Sequence, residues 1–172
     1  LSGSSELLKP GELYLNRRFD RGDLLRKIES SLIEIDYAIQ ENFGEVFLVA
    51  DKEKLYETLS ILKEKLGFNY LKCLTAADYV DHLEIIYCLY SFSNAYSLTV
   101  KSILDADNPE VQSVFSLWHG ADWHEREAFD LFGIKFIGHP NLKKLVLWDG
   151  FDEHPLRKSF ALELPGEEGG DS

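Results

Sequence analysis

Apolar residues fall at helical spacing along the first part of the chain. Leu24, Leu25, Ile28, Leu32, Ile35, Ile39 and Phe43 recur mostly three or four positions apart. That spacing predicts a helix from Asp23 to about Asn42, stopped by Gly44. Val46 to Ala50 is a short apolar run of strand length. Asp51 then fits a helix N-cap, Leu55, Leu59, Leu62 and Leu66 form one stripe, and Gly67 fits the position after the last turn. Three strand-like runs follow, Tyr70 to Thr75, His82 to Phe92 and Tyr96 to Ile103, with Ser93-Asn94-Ala95 as the turn between the last two. The order α, β, α, β, β, β predicts an α+β fold with helices packed on one face of a small, mainly antiparallel sheet. The chain has no internal repeat and no Gly-rich phosphate loop.

Asp107-Asn108-Pro109 marks a boundary, with Pro109 suited to the first position of a short helix. Ala121 to Phe132 reads as the next helix, its first turn favoured by Asp122 and Glu125 and its end set by Gly133. Beyond it, Pro140, Pro155, Pro165, Gly138 and Gly150 interrupt every periodic pattern, which predicts an extended arm lying over a surface. The expected organisation is a flexible leader (1–11), an α+β domain (12–106), a helical connector (107–133), an extended partner-binding arm (134–165) and a disordered tail (166–172).

Composition narrows the function. A net charge of -12 disfavours nucleic-acid binding, which needs clustered Lys and Arg. The charge is uneven: residues 134–160 carry about +2 and the remainder about -14. Cys73 and Cys88 match no zinc spacing, and two thiolates are too few for an iron–sulfur cluster, so the pair reads as buried thiols in strands. No apolar run approaches the ~20 residues of a membrane span, and the first residues carry no signal-peptide pattern. The expected route to a membrane is through a partner.

The stretch from Trp118 to Phe160 holds four of the five histidines and all three tryptophans. Glu125, Arg126 and Glu127 stand there among Trp123, Phe129, Leu131 and Phe132. Charge and bulk apolar surface so close together predict a surface that becomes buried against another protein. His124 to Asp130 is not the HExxH zinc motif, because Ala128 stands where its second histidine would be. Glu125 and Glu127, two apart, point to different helix faces. Arg126 and Asp130 stand four apart and can pair on the helix. His154-Pro155-Leu156-Arg157-Lys158 predicts a rigid strip presenting Arg157 to a partner's carboxylate, with Trp148, Phe151 and Phe160 as apolar anchors.

The same residues carry a resemblance. Glu125-Arg126-Glu127, Asp130-Leu131-Phe132-Gly133, His139-Pro140, Lys143 and Leu145-Val146, then Gly150-Phe151, His154 to Lys158 and Phe160, resemble the signature of one family. It is the thirty-kilodalton subunit family of respiratory complex I, whose bacterial members belong to NADH–quinone oxidoreductases. Leu74 to Tyr79 and the strands ending near Ile103 are similar to it more loosely. The resemblance implies a non-catalytic peripheral-arm subunit of a proton-translocating oxidoreductase, with no cofactor or metal of its own. NADH, FMN, iron–sulfur clusters and quinone are then expected in partner subunits. The implied partners are the hydrogenase-like large subunit of the forty-nine-kilodalton type and other peripheral-arm subunits. The implied place is the cytoplasmic face of a bacterial or archaeal inner membrane, reached only through the complex.

On that view Glu125, Arg126, Glu127, Asp130, His139, Lys143, His154, Arg157 and Lys158 are interface and folding determinants. The same module serves related complexes using coenzyme F420, ferredoxin or a hydrogenase module. Two readings compete with it: a free-standing metal-dependent enzyme built on His124 or His139, and an adaptor unrelated to respiration.

Overall fold

The computed structural model of the chain describes residues 20–42 and 45–161. The expected leader and tail, the helix stop at Gly44 and the last residues of the arm lie outside the described residues. Helix α1 (Arg21–Ser31) starts at Asp20, whose side chain accepts from the Asp23 N–H at 3.0 Å, and buries Leu24 and Ile28. It ends eleven residues earlier than the apolar spacing predicts. Residues Tyr37–Asn42 form strand β1 instead. The reason lies in the pattern itself. Ile35, Tyr37 and Ile39 turn inward while Asp36, Ala38 and Gln40 are exposed, so the Ile35–Ile39 interval is two steps of period two, not one helical turn. The choice falls to strand because β1 pairs antiparallel with β2 (Glu45–Ala50), Tyr37 opposite Ala50 and Asn42 opposite Glu45.

Asp51 caps a 3₁₀ turn (Lys52–Lys54) that runs into α2 (Leu55–Leu66). Leu55, Leu59, Leu62 and Leu66 are all buried. Gly67 at φ 70° closes α2, donating to Lys63 O while Phe68 N–H donates to Leu62 O, so two terminal carbonyls are satisfied. Strands β3 (Tyr70–Asp78), β4 (His82–Ser91) and β5 (Tyr96–Asp105) complete a five-stranded sheet of order β1-β2-β5-β4-β3. Only β2 and β5 run parallel; the other neighbours are antiparallel.

The two faces of the sheet differ. Leu83, Ile85, Tyr87 and Leu89 of β4, with Leu98, Val100 and Leu104 of β5, are inaccessible and share one core with the buried residues of all the helices. The alternate positions of β4, from Glu84 to Tyr90, are half-buried. Cys73 and Cys88 lie on this outer face as half-buried free thiols, which corrects their reading as buried ones.

Pro109 opens no helix. It precedes strand β6 (Glu110–Gln112), which pairs parallel with β7 (Lys135–Ile137), and Pro109 O accepts from the Lys135 N–H at 2.8 Å. Pairing with a strand from beyond the next helix overrides the local signal. Between them stands α3 (Ala121–Phe132), packed beside β3 and ended by Gly133 at φ 74°. Residues 138–161 then run as turns and bends.

Candidate functional site

Helix α3 turns different faces to different neighbours. Ala121, Glu125, Ala128 and Phe132 face the core, Arg126 and Asp130 face the arm, and Trp123 and Glu127 are exposed. A carboxylate on a core-facing stripe is costly unless it is hydrogen-bonded. Glu125 is, accepting from Ser113 Oγ at 2.6 Å and from the Val114 N–H at 2.7 Å. Burial still dominates and, with the Asp122 carboxylate adding repulsion, pushes the acid up to about 7 against those two bonds.

His139 reaches the same place from the loop after β7. Its side chain is wholly buried, with Nε2 3.2 Å from Asp122 Oδ1 and 3.8 Å from Glu125 Oε2, outside hydrogen-bond geometry. The Asn141 N–H donates to His139 Nδ1 at 3.0 Å. In a neutral ring the proton is therefore on Nε2, near the two carboxylates but directed at neither, and Nε2 then has no lone pair for a cation. Among the described residues no three His, Cys, Asp or Glu side chains are grouped to hold a metal.

The arm-facing residues bind backbone. Arg126 and Asp130 do not pair with each other as their spacing allows. Arg126 donates from Nε to Lys143 O at 3.1 Å and from Nη2 to Lys144 O at 3.2 Å, with its guanidinium over the Trp123 ring. Asp130 Oδ2 accepts from the N–H groups of Leu145, Val146 and Leu147 at 3.0, 2.7 and 2.8 Å. Burial alone would raise the Asp130 acid, but these three donors and nearby Lys144 hold it below the usual carboxylate range. One arginine and one aspartate, a turn apart, thus grip the carbonyls and amides of the loop at 143–147.

The His154–Lys158 strip does something else again. The last carbonyls of a helix have no partner within it. In α3, Phe129 O accepts from the Gly133 N–H, and Leu131 O from the Leu156 N–H at 3.1 Å. Asp130 O accepts from His154 Nδ1 at 2.9 Å, and Phe132 O from Arg157 Nε at 2.7 Å. All four terminal carbonyls are satisfied, three of them by the arm, and a guanidinium at a helix C-terminus also complements the macrodipole. Arg157 donates further to Ala106 O at 2.9 Å. Two of the five N–H groups of Arg157 are thus spent inside the chain.

Gly133 makes the contact possible. A Cβ there would stand 2.6 Å from the His154 ring, and its positive φ disfavours any other residue. Lys158 docks through its backbone, donating to Asp78 Oδ2 at 2.7 Å, with its ammonium over the Tyr79 ring. Lys143 contributes its carbonyl while its side chain is exposed, and Glu127 is exposed too. Ser113, Asp122, Asp78 and Gly133 are members of this site that side-chain spacing alone does not single out. Large apolar side chains stand among the residues that face solvent around the grip: Trp123, Val146, Trp148 and Leu156 are 62%, 60%, 68% and 51% exposed.

Comparison with known proteins shows a family for the stretch that contains the site. Residues 48–165 match the model for "Respiratory-chain NADH dehydrogenase, 30 Kd subunit", a span that takes in β3–β5, α3 and the arm. The chain is 44% identical over 135 residues to a NADH-quinone oxidoreductase subunit from Moorella thermoacetica, covering 77% of this chain and 91% of that one. It is 39% identical over 128 residues to the like-named subunit from Citrifermentans bemidjiense, covering 73% and 80%. Among solved structures, a trypsin-resistant fragment of Nqo5 superposes with a TM-score of 0.62 at 28% identity, over 70% of this chain and 98% of the fragment. A chain of a membrane-bound sulfane sulfur reductase, an archaeal respiratory membrane complex, shares the fold with a TM-score of 0.71 at 21% identity, over 82% and 85%.

Proposed function

This chain belongs to the family of the 30 Kd subunit of respiratory-chain NADH dehydrogenase, and we propose that it serves as a peripheral-arm subunit of a complex I-type NADH–quinone oxidoreductase without catalysing a step itself. The observation that carries this reading is the use made of the signature charges. Arg126, Asp130, His154 and Arg157 are each committed to backbone groups of the chain's own arm or helix, a structural use and not one that leaves them for a substrate. The arm they seat presents Val146, Trp148 and Leu156 to solvent, the residue types that anchor interfaces. The partner for that surface is the hydrogenase-like large subunit of the quinone side, with NADH, FMN, iron–sulfur clusters and quinone held by partner subunits. Among the described residues no helix is long and apolar enough to cross a membrane. Attachment on the cytoplasmic face through the complex accords with that.

The test is co-purification of the tagged full chain with its large subunit from native membranes, for wild type and for Trp148→Ala. Loss of an interface anchor is expected to weaken capture by about thirtyfold, on the order of 2 kcal/mol, without changing the fold of the free chain. Undiminished capture by Trp148→Ala combined with Leu156→Ala would refute the assigned surface. An isolated chain that oxidised NADH would refute the non-catalytic role. The donor modules that come down with the chain distinguish an NADH-linked complex from relatives using coenzyme F420, ferredoxin or a hydrogenase.

A further inference from the structure

Strands β3 and β4 meet in a regular antiparallel register except at one place. Leu71 stands opposite Leu89 and Cys73 opposite Cys88, which leaves Lys72 as an extra residue on β3. The bulge decides where Cys73 points. Leu71 faces the core, and strict alternation would send residue 73 inward as well; with Lys72 inserted, Leu74 takes the inward position and Cys73 stays on the outer face. Cys88 lies between Tyr87 and Leu89, both wholly buried, so it also faces outward. The bulge thus sets two thiols side by side on the half-exposed face of the sheet, both free.

The spacing suits a covalent bond. Residues directly opposite on antiparallel strands have Cα atoms ~5.5 Å apart in a hydrogen-bonded pair and ~4.5 Å apart in the other kind. Disulfides span Cα separations of ~4.4 to ~6.8 Å, which admits either. Burial first, then the neighbouring Cys88 and Glu127 of α3, push the Cys73 thiol up.

We propose that Cys73 and Cys88 are a reversible dithiol–disulfide pair, a modification site for small-molecule disulfides of the glutathione class. The thiolate of one cysteine attacks a sulfur of glutathione disulfide, forming a mixed disulfide and expelling one glutathione thiolate. The thiolate of the other cysteine then attacks the protein sulfur of that mixed disulfide and expels the second glutathione. The two protein thiols lose their protons and two electrons, and the glutathione disulfide gains both as two thiols. Closure ties β3 to β4 at the bulge, on the strand beside which α3 packs, and removes an ionisable group from the neighbourhood of Glu127.

The experiment equilibrates the reduced, full-length chain with mixtures of reduced and oxidised glutathione, quenches with an alkylating reagent and weighs the intact chain. Wild type is expected to pass from two alkylated thiols to none, at a mass lower by two hydrogens and with no glutathione retained. Peptide mapping is expected to join Cys73 to Cys88 within one chain. Cys73→Ser and Cys88→Ser, checked for unchanged circular dichroism, are expected to trap glutathione as a lasting adduct on at least one remaining thiol. Two stable glutathione adducts on wild type, thiols alkylated under every mixture, or disulfides found only between two chains would each overturn the proposal.

Discussion

The sheet with α1 and α2, and α3 with its arm, are held together in different ways. In the first, Leu24, Ile28, Leu55, Leu59, Leu62 and the inward residues of β4 and β5 exclude water from one continuous apolar core. In the second, the same chain uses buried or half-buried charges whose partners are mostly main-chain groups. Apolar packing is non-directional and tolerates substitutions that conserve volume. Charge-assisted bonds to backbone are directional, so each such residue answers for the course of one stretch of chain. The comparison shows how a stretch dense in Glu, Arg, Asp and His can fix the path of an arm.

That contrast is open to attack by substitution. The largest effect belongs to the core. Leu59→Ala, at a site with no exposure, is expected to cost about 4 kcal/mol and to lower the denaturant midpoint of the whole domain. Unfolding confined to the arm would contradict the division. Next comes the buried acid. With Glu125 lifted from 4.5 to about 7, the folded chain holds a proton that the unfolded chain releases. The resulting stabilisation is complete below about pH 4.5 and is lost as the pH rises through about 7, a span on the order of 3 kcal/mol. Glu125→Gln is expected to flatten this slope in urea titrations between about pH 5 and about pH 8. An unchanged slope would place the titrating group elsewhere.

A smaller, local effect belongs to Gly133→Ala. Its positive φ and the Cβ position 2.6 Å from His154 predict a cost of about 2 kcal/mol, paired with faster proteolysis after Lys143 and Lys144. Equal loss of protease resistance in β4 would show that the arm is not a separate unit. The smallest concerns the core again. Among the described residues the buried Tyr87 hydroxyl has no hydrogen-bond partner, and burial pushes its ionisation well above the ordinary value. Tyr87→Phe is expected to leave stability unchanged or raise it by about 1 kcal/mol in thermal melts, whereas a clear loss would reveal a hidden partner for the hydroxyl.

The two regions were also unequally legible. Strands β2 to β5 and helices α2 and α3 are visible in the order of residues, because continuous apolar runs, the Leu55–Leu66 stripe and the terminal glycines Gly67 and Gly133 are local signals. Strand β1 is not, because Ile35 and Ile39 satisfy helical and strand periods alike and the decision comes from pairing with β2. In α3 and the arm, the charged residues stand out in the sequence and their partners do not. Spacing offers Arg126 to Asp130 as an ion pair, yet both are taken by backbone groups of residues 143–147, partners no side-chain pattern can announce. The burial of Glu125 likewise depends on Ser113 and Val114, which only the fold brings to it.

The most direct test of the central claim, that the signature charges seat the arm on α3, is hydrogen exchange on the full chain with Asp130→Ala. Asp130 Oδ2 alone receives the N–H groups of Leu145, Val146 and Leu147. The account predicts that peptides covering 145–158 lose protection while those from β4 and β5 keep theirs. Protection at 145–147 equal to wild type, or loss spread evenly through the sheet, would contradict it.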